Sequence, residues 1–134
     1  MSQLLHWFVE GTPVPQGSKS AAVINGRAVM FEANKKHGAW RKHVEATIPS
    51  LDIPSTNPVR VELIFTFIKP KTVKRQHMSV KPDADKLARS ILDCLSGRVI
   101  KDDSQVIILN IRKEYGERAG VLIRVAEITN VTVW

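Results

Sequence analysis

The sequence predicts a single α+β domain over residues 1–134, a mostly antiparallel sheet with two helices packed against it. Three observations carry this. Val59 to Phe67 alternates, with Val59, Val61, Leu63, Phe65 and Phe67 on one face and Arg60, Glu62 and Thr66 on the other. Two segments instead place apolar residues at helical spacing: Trp40, Val44 and Ile48, then Leu87, Ile91 and Leu95. Asn25-Gly26 between short apolar runs is a two-residue hairpin signal.

The elements follow in order. Leu5 to Glu10 is a first strand, given bulk by Trp7 and Phe8. Gly11 to Lys19 holds two prolines and two glycines, so it is a loop. Lys19, near its end, is a candidate phosphate contact. Ala21–Ile24 and Arg27–Phe31 flank the hairpin turn. A helix runs from about Asn34 to Ile48, with Lys35, Lys36, Arg41 and Lys42 on its basic face and Pro49 at its stop. Ser50 to Pro58 is a loop. Lys69 to Lys81 is irregular and basic, and carries the candidate DNA contacts Lys69, Lys71, Lys74, Arg75 and Lys81. A second helix spans Asp85 to Leu95, with Ala88 and Leu92 beside its apolar row and Gly97 suited to its C-terminal end. Val106–Arg112 and Val121–Ile128 are the last strands, joined by a turn from Gly116 to Gly120.

Composition narrows the function. The net charge of +7 favours a polyanionic partner, nucleic acid first. One cysteine, Cys94, excludes an internal disulfide and any zinc site built from cysteine pairs; its apolar neighbours suggest a buried thiol. The four histidines are scattered, and no phosphate-binding Gly-x-x-x-x-Gly-Lys loop is present. Met1 to Glu10 lacks a signal-peptide pattern and no stretch approaches a membrane span. The expectation is a soluble, cytoplasmic protein with no membrane partner.

The chemistry centres on Asp83 and Asp85, then Asp102 and Asp103 one helix and one turn later. Magnesium prefers oxygen donors and is held by one or two protein carboxylates plus phosphate oxygens and water. Acids able to hold magnesium, set among cations able to hold phosphate, suggest phosphodiester hydrolysis. The same residues also suit plainer roles: Asp83 a helix cap, Asp85 a charge at the positive helix end, Asp102-Asp103 a turn before a strand. Adjacent strand residues point oppositely, so one of Asp102 and Asp103 is expected to face the metal. Arg89, one turn after Asp85, is placed to stabilise charge building on phosphate, or to form an intrahelical ion pair. Lys86 is expected to face phosphate, and Asp93 to orient Arg89.

The runs Lys81-Pro82-Asp83-Ala84-Asp85-Lys86-Leu87-Ala88-Arg89, Leu92-Asp93-Cys94-Leu95-Ser96-Gly97 and Asp102-Asp103-Ser104-Gln105-Val106 resemble the RusA family of Holliday junction resolvases, common in phages and prophages. Gly11 to Gly17 is also similar to that family's start. The resemblance implies a homodimeric endodeoxyribonuclease that binds four-way DNA junctions and makes paired symmetrical nicks with magnesium or manganese, in a bacterial or phage-infected cell. It puts the catalytic and metal-binding acids on Asp83, Asp85 and Asp103, with Asp102 adjacent, and the family's lysine at Arg89. Two residues depart from the pattern: Lys86 stands where asparagine is usual and Arg89 where lysine is usual. Arginine keeps its charge but does not release its proton, so transition-state stabilisation survives and a general-acid role does not. Strand edges and the tail Val131–Trp134 are candidate dimer surfaces. Two other readings share these residues: a non-catalytic DNA-binding module, and a nuclease of the same chemistry acting on flaps or forks.

Overall fold

A computed structural model describes residues 4–17, 19–32, 35–49 and 51–128. The chain runs β1 (Leu5–Glu10), β2 (Lys19–Ile24), β3 (Arg27–Glu32), α1 (Lys35–Thr47), β4 (Val59–Phe67), α2 (Ala84–Leu95), a 3-10 turn (Asp103–Gln105), β5 (Val106–Tyr115) and β6 (Gly120–Glu127). The α+β expectation holds. Asn34 and the tail from Val131 to Trp134 lie outside the described residues, as do the side chains of most of the hairpin, Lys19 among them.

β4 is the centre of the sheet because its alternation is unbroken. Val59, Val61, Leu63 and Phe65 are fully buried and the residues between them half-buried. The strand order is β1-β6-β4-β5. β1 pairs antiparallel with β6, and β6 antiparallel with β4. β5 lies parallel to β4. The long loop and α2 carry the chain back to the start of β4 before β5 begins, the crossover that parallel pairing requires. β5 and β6 are therefore not hairpin partners across the Gly116–Gly120 turn; β4 lies between them. Gly116 anchors that turn by donating its amide to Phe67 O (2.9 Å), and a Cβ there would sit 2.6 Å from Thr66 Cγ2.

The hairpin turn has the backbone its sequence demands. Asn25 (φ 52°) and Gly26 (φ 78°) are both left-handed, as a tight two-residue turn requires. β2 and β3 form a separate two-stranded sheet.

Both helices bury one row. Leu87, Ile91, Cys94 and Leu95 of α2 are inaccessible to solvent, and Ala88 nearly so. Trp40 and Val44 of α1 are buried and Ile48 packs at the margin. α1 meets α2 through a buried hydrogen bond between His37 Nε2 and Ser90 Oγ (2.8 Å). Cys94 belongs to this core as expected, and burial pushes its thiol up to about 11. Ser96 caps α2 and Gly97 follows in the left-handed conformation (φ 84°). Among the described residues no helix is long and apolar enough to cross a membrane.

Candidate functional site

The first acid arrives at the end of the long basic loop. Lys113 of β5 donates from Nζ to Val80 O (2.7 Å) and Pro82 O (2.9 Å). Its ammonium supplies partners that an irregular backbone lacks. The next residue, Asp83, is the N-cap of α2, and its carbonyl accepts from Leu87 N at 3.1 Å. The Asp83 side chain makes no capping hydrogen bond. An aspartate in a capping position ordinarily turns its carboxylate onto a free helix amide; this one faces outward, 47% exposed, with Lys86 Nζ at 3.7 Å.

Asp85 projects from the first turn of α2 and is more exposed still. Arg89 Nη2 stands 3.9 Å from its Oδ2, one turn later. That contact is long and solvent-screened, so it leaves Arg89 available to another anion. Lys86 and Arg89 thus stand beside the two carboxylates that begin the helix, as their spacing predicts.

Asp102 and Asp103 have different duties. They sit at a 3-10 turn and not on a strand, so strand alternation is not what separates them. Asp102 caps the turn: Oδ2 accepts from Ser104 N (2.9 Å), and its own amide donates to Gln105 Oε1 (2.8 Å). The hydrogen bond from Ser104 holds its carboxyl below the usual range. Gln105 Nε2 then donates to the carbonyls of Ser55 and Asn57, fixing the turn to the loop before β4. Asp103 is exposed and, among the described residues, its carboxylate has no hydrogen bond or ion pair.

The 3-10 turn packs against α2, so the fold returns the second acidic pair to the helix that bears the first. Among the described residues, however, no three or more His, Cys, Asp or Glu side chains are gathered closely enough to hold a metal ion. Asp83 and Asp85 begin α2, whereas Asp102 and Asp103 follow beyond its C-terminal end, and Asp102 is engaged by the Ser104 amide. The donors themselves suit a hard cation: exposed carboxylates, of which magnesium needs one or two.

The basic loop is folded onto the end of β5. Arg75 Nε donates to Tyr115 OH (3.0 Å), its guanidinium lies 5.9 Å from the ring centre, and Lys69 Nζ stands over the same ring at 5.7 Å. Met78 pins the middle of the loop to the core. Lys71, Lys74, Arg75 and Lys81 are exposed, and Lys69 is partly covered.

The loop after β1 closes the other side of Asp83. Gln16 N donates to Lys86 O at 3.0 Å. Between this loop and the start of α2 lies a cleft of about 340 Å³, walled by Pro15, Gln16, Lys81, Pro82, Asp83 and Lys86. Sequence reasoning missed Gln16, Lys113 and Tyr115. The strand signal stops at Arg112, whereas β5 runs to Tyr115; continuing its alternation from Ile111 puts Lys113 and Tyr115 on the inner face. Gln16 carried no local signal.

Comparison with known proteins bears on the same residues. The uncharacterized protein YqaN of Bacillus subtilis (strain 168) is 28% identical over 140 residues, covering 93% of this chain and 97% of that protein. The family described as Endodeoxyribonuclease RusA matches residues 10–126, a stretch that takes in the loop after β1, the basic loop, α2 and all four aspartates. With most of its length matched and the acid-bearing segments inside the match, the chain belongs to the RusA endodeoxyribonuclease family.

Proposed function

We propose that this protein is a metal-dependent endodeoxyribonuclease that resolves four-way DNA junctions by paired symmetrical nicks, working as a homodimer in the cytoplasm of a bacterial or phage-infected cell. The observation that carries the reading is Asp83: an aspartate at a helix N-cap whose carboxylate is not engaged in capping and faces solvent beside Lys86.

Asp83, Asp85 and Asp103 are the residues that would hold magnesium or manganese, while Asp102 maintains the turn that presents Asp103. The bound ion supplies charge neutralisation and a more acidic water. The chain's own residues do the rest. Arg89 leaves its weak contact with Asp85 and stabilises negative charge growing on the phosphate. Lys86 neutralises the Asp83 side of the site. The loop cations Lys69, Lys71, Lys74, Arg75 and Lys81 hold the DNA backbone; Lys19 joins this set as a proposed contact.

Two nicks on a branched duplex of near two-fold symmetry suit two identical subunits. β5 supports this as a sheet edge: it pairs on one side only and exposes Ile107 (62%) and Leu109.

The test is a labelled four-way junction incubated with the protein in magnesium or EDTA, beside flap and fork substrates. Paired nicks that need the metal and favour the junction are expected. Asp83→Asn abolishes cutting and leaves junction binding intact, while Arg89→Gln lowers kcat by roughly 10²-fold with binding little changed. Normal cutting by Asp83→Asn, or binding without any cutting by the wild type, refutes the nuclease site.

A further inference from the structure

We propose that Glu127 and Ser55 are positioning residues for the candidate metal ligand Asp103, acting through Asn57 and Gln105 on the 3-10 turn that presents it. This rests on the endonuclease reading above.

Glu127 stands where the fold calls for an apolar side chain. Val121, Ile123 and Val125 of β6 are fully buried, and the next residue on that face is Glu127, opposite the fully buried Val59. A carboxylate at the rim of the core costs desolvation that a valine there would not. Its partners are specific: Oε2 accepts from Ser55 Oγ (2.6 Å) and from Asn57 Nδ2.

Ser55 spreads that hold. It is 6% exposed, and each of its polar groups is engaged. Its hydroxyl donates to Glu127 and accepts from Asn57 N (3.2 Å). Its amide donates to Val99 O (2.9 Å), and its carbonyl accepts from Lys101 N (3.0 Å) and Gln105 Nε2 (2.8 Å). Gln105 is used as completely. Nε2 also donates to Asn57 O (2.8 Å), and Oε1 accepts from Asp102 N (2.8 Å). With both donors and the carbonyl committed, the Gln105 amide has one orientation.

The turn needs this support. None of its three residues is buried, so no apolar side chain of its own anchors it. One 3-10 turn makes few bonds within itself. Asp103 lies between the two residues that the network grips, Asp102 by its amide and Gln105 by its side chain. Its carboxylate makes no bond among the described residues, so its place is set by the backbone alone. Groups that orient a metal-binding side chain are typically worth ~10–100-fold in metal affinity.

The test titrates the full-length protein with Mn2+, without DNA and well below each melting temperature, following the free-ion EPR signal. Glu127→Ala is expected to weaken Mn2+ binding about tenfold and Ser55→Ala several-fold. Glu127→Gln keeps an oxygen that can accept both hydrogen bonds, and should lose about twofold or less. Val44→Ala, which opens the core under α1, lowers Tm and leaves Mn2+ affinity unchanged. In an Asp103→Asn background Glu127→Ala costs no further affinity, because its effect runs through Asp103. The Mn2+ concentration for half-maximal nicking rises by the same factor as the dissociation constant, while KM for the junction stays the same. Should Glu127→Ala fail to fold, Ser55→Ala and Asn57→Ala carry the same comparisons. Wild-type Mn2+ affinity in Glu127→Ala, or an undiminished loss in the Asp103→Asn background, overturns the positioning role and leaves the endonuclease reading standing. A wild type that binds Mn2+ but cuts no DNA sinks the endonuclease reading, and the affinities still decide whether Glu127 positions Asp103. A wild type that binds no Mn2+ overturns both.

Discussion

Lys113 Nζ donates to the carbonyl of Pro82 at 2.9 Å, one residue before Asp83, and so β5 fixes the point from which the candidate metal ligand projects. The ammonium also takes Val80 O, so two carbonyls of one irregular segment converge on one side chain. Lys113→Met removes both bonds and is expected to destabilise the fold by about 1–2 kcal/mol, the magnitude of hydrogen bonds to a partly exposed charge. Cutting should fall further than that loss implies, because Asp83 is displaced. Thermal unfolding and kcat/KM on a junction measure the two effects, and Lys113→Arg should restore more of the stability than of the rate.

Asp102 and Asp103 are neighbours with opposite expected phenotypes. Asp102→Ala removes the cap on the 3-10 turn and should lower Tm while leaving measurable cutting. Asp103→Asn keeps the turn, since its carboxylate makes no bond among the described residues, and should abolish cutting with Tm unchanged. Melting curves beside a nicking assay decide it; the reverse pattern would assign the metal to Asp102.

The basic loop should show itself in salt dependence. Each lysine that neutralises a phosphate contributes close to one unit to the slope of log binding constant against log salt. Lys71→Ala with Lys74→Ala is expected to lower that slope by about two. Arg75→Ala should do more than remove one charge, because it also frees the loop from Tyr115. Junction titrations at several salt concentrations give the slopes.

Glu127 ties the end of β6 to the loop before β4. Burial works against its charge, but hydrogen bonds from Ser55 and Asn57 outweigh that and hold its carboxyl below the ordinary value of 4.5. A carboxyl lowered on folding adds stability at pH above its unfolded value, and that share disappears as pH falls through the folded value. Urea midpoints should therefore drop below about pH 4.5 more steeply in the wild type than in Glu127→Gln. At pH 7 the variant should be the less stable of the two.

Much of this architecture was legible in the residues, and the parts that were not share a cause. The alternation of β4, the apolar row of α2 and the Asn25-Gly26 turn are local patterns, and local patterns survive in any context. Strand neighbours are not local. Nothing in Val106–Tyr115 says that it lies parallel to β4 and not beside β6; that follows from where α2 returns the chain. The acids were legible as a set. Strand alternation was the wrong basis for separating Asp102 from Asp103; the Asp102-x-x-Gln105 spacing is a capping-box pattern and signals which aspartate is engaged in the turn. Lys113 and Gln16 act across the fold, through backbone groups remote in sequence, and one-dimensional spacing holds no trace of those partners.

Cys94 is the sole sulfhydryl of the chain, sealed in the core and with its thiol pushed up to about 11. At neutral pH it is shielded from alkylating reagents. A single cysteine introduced on an outer face, such as at Lys71, would then accept a spin label or a dye without first rebuilding the interior. Labelled copies then report whether two of them pair, with and without DNA, in an otherwise native molecule.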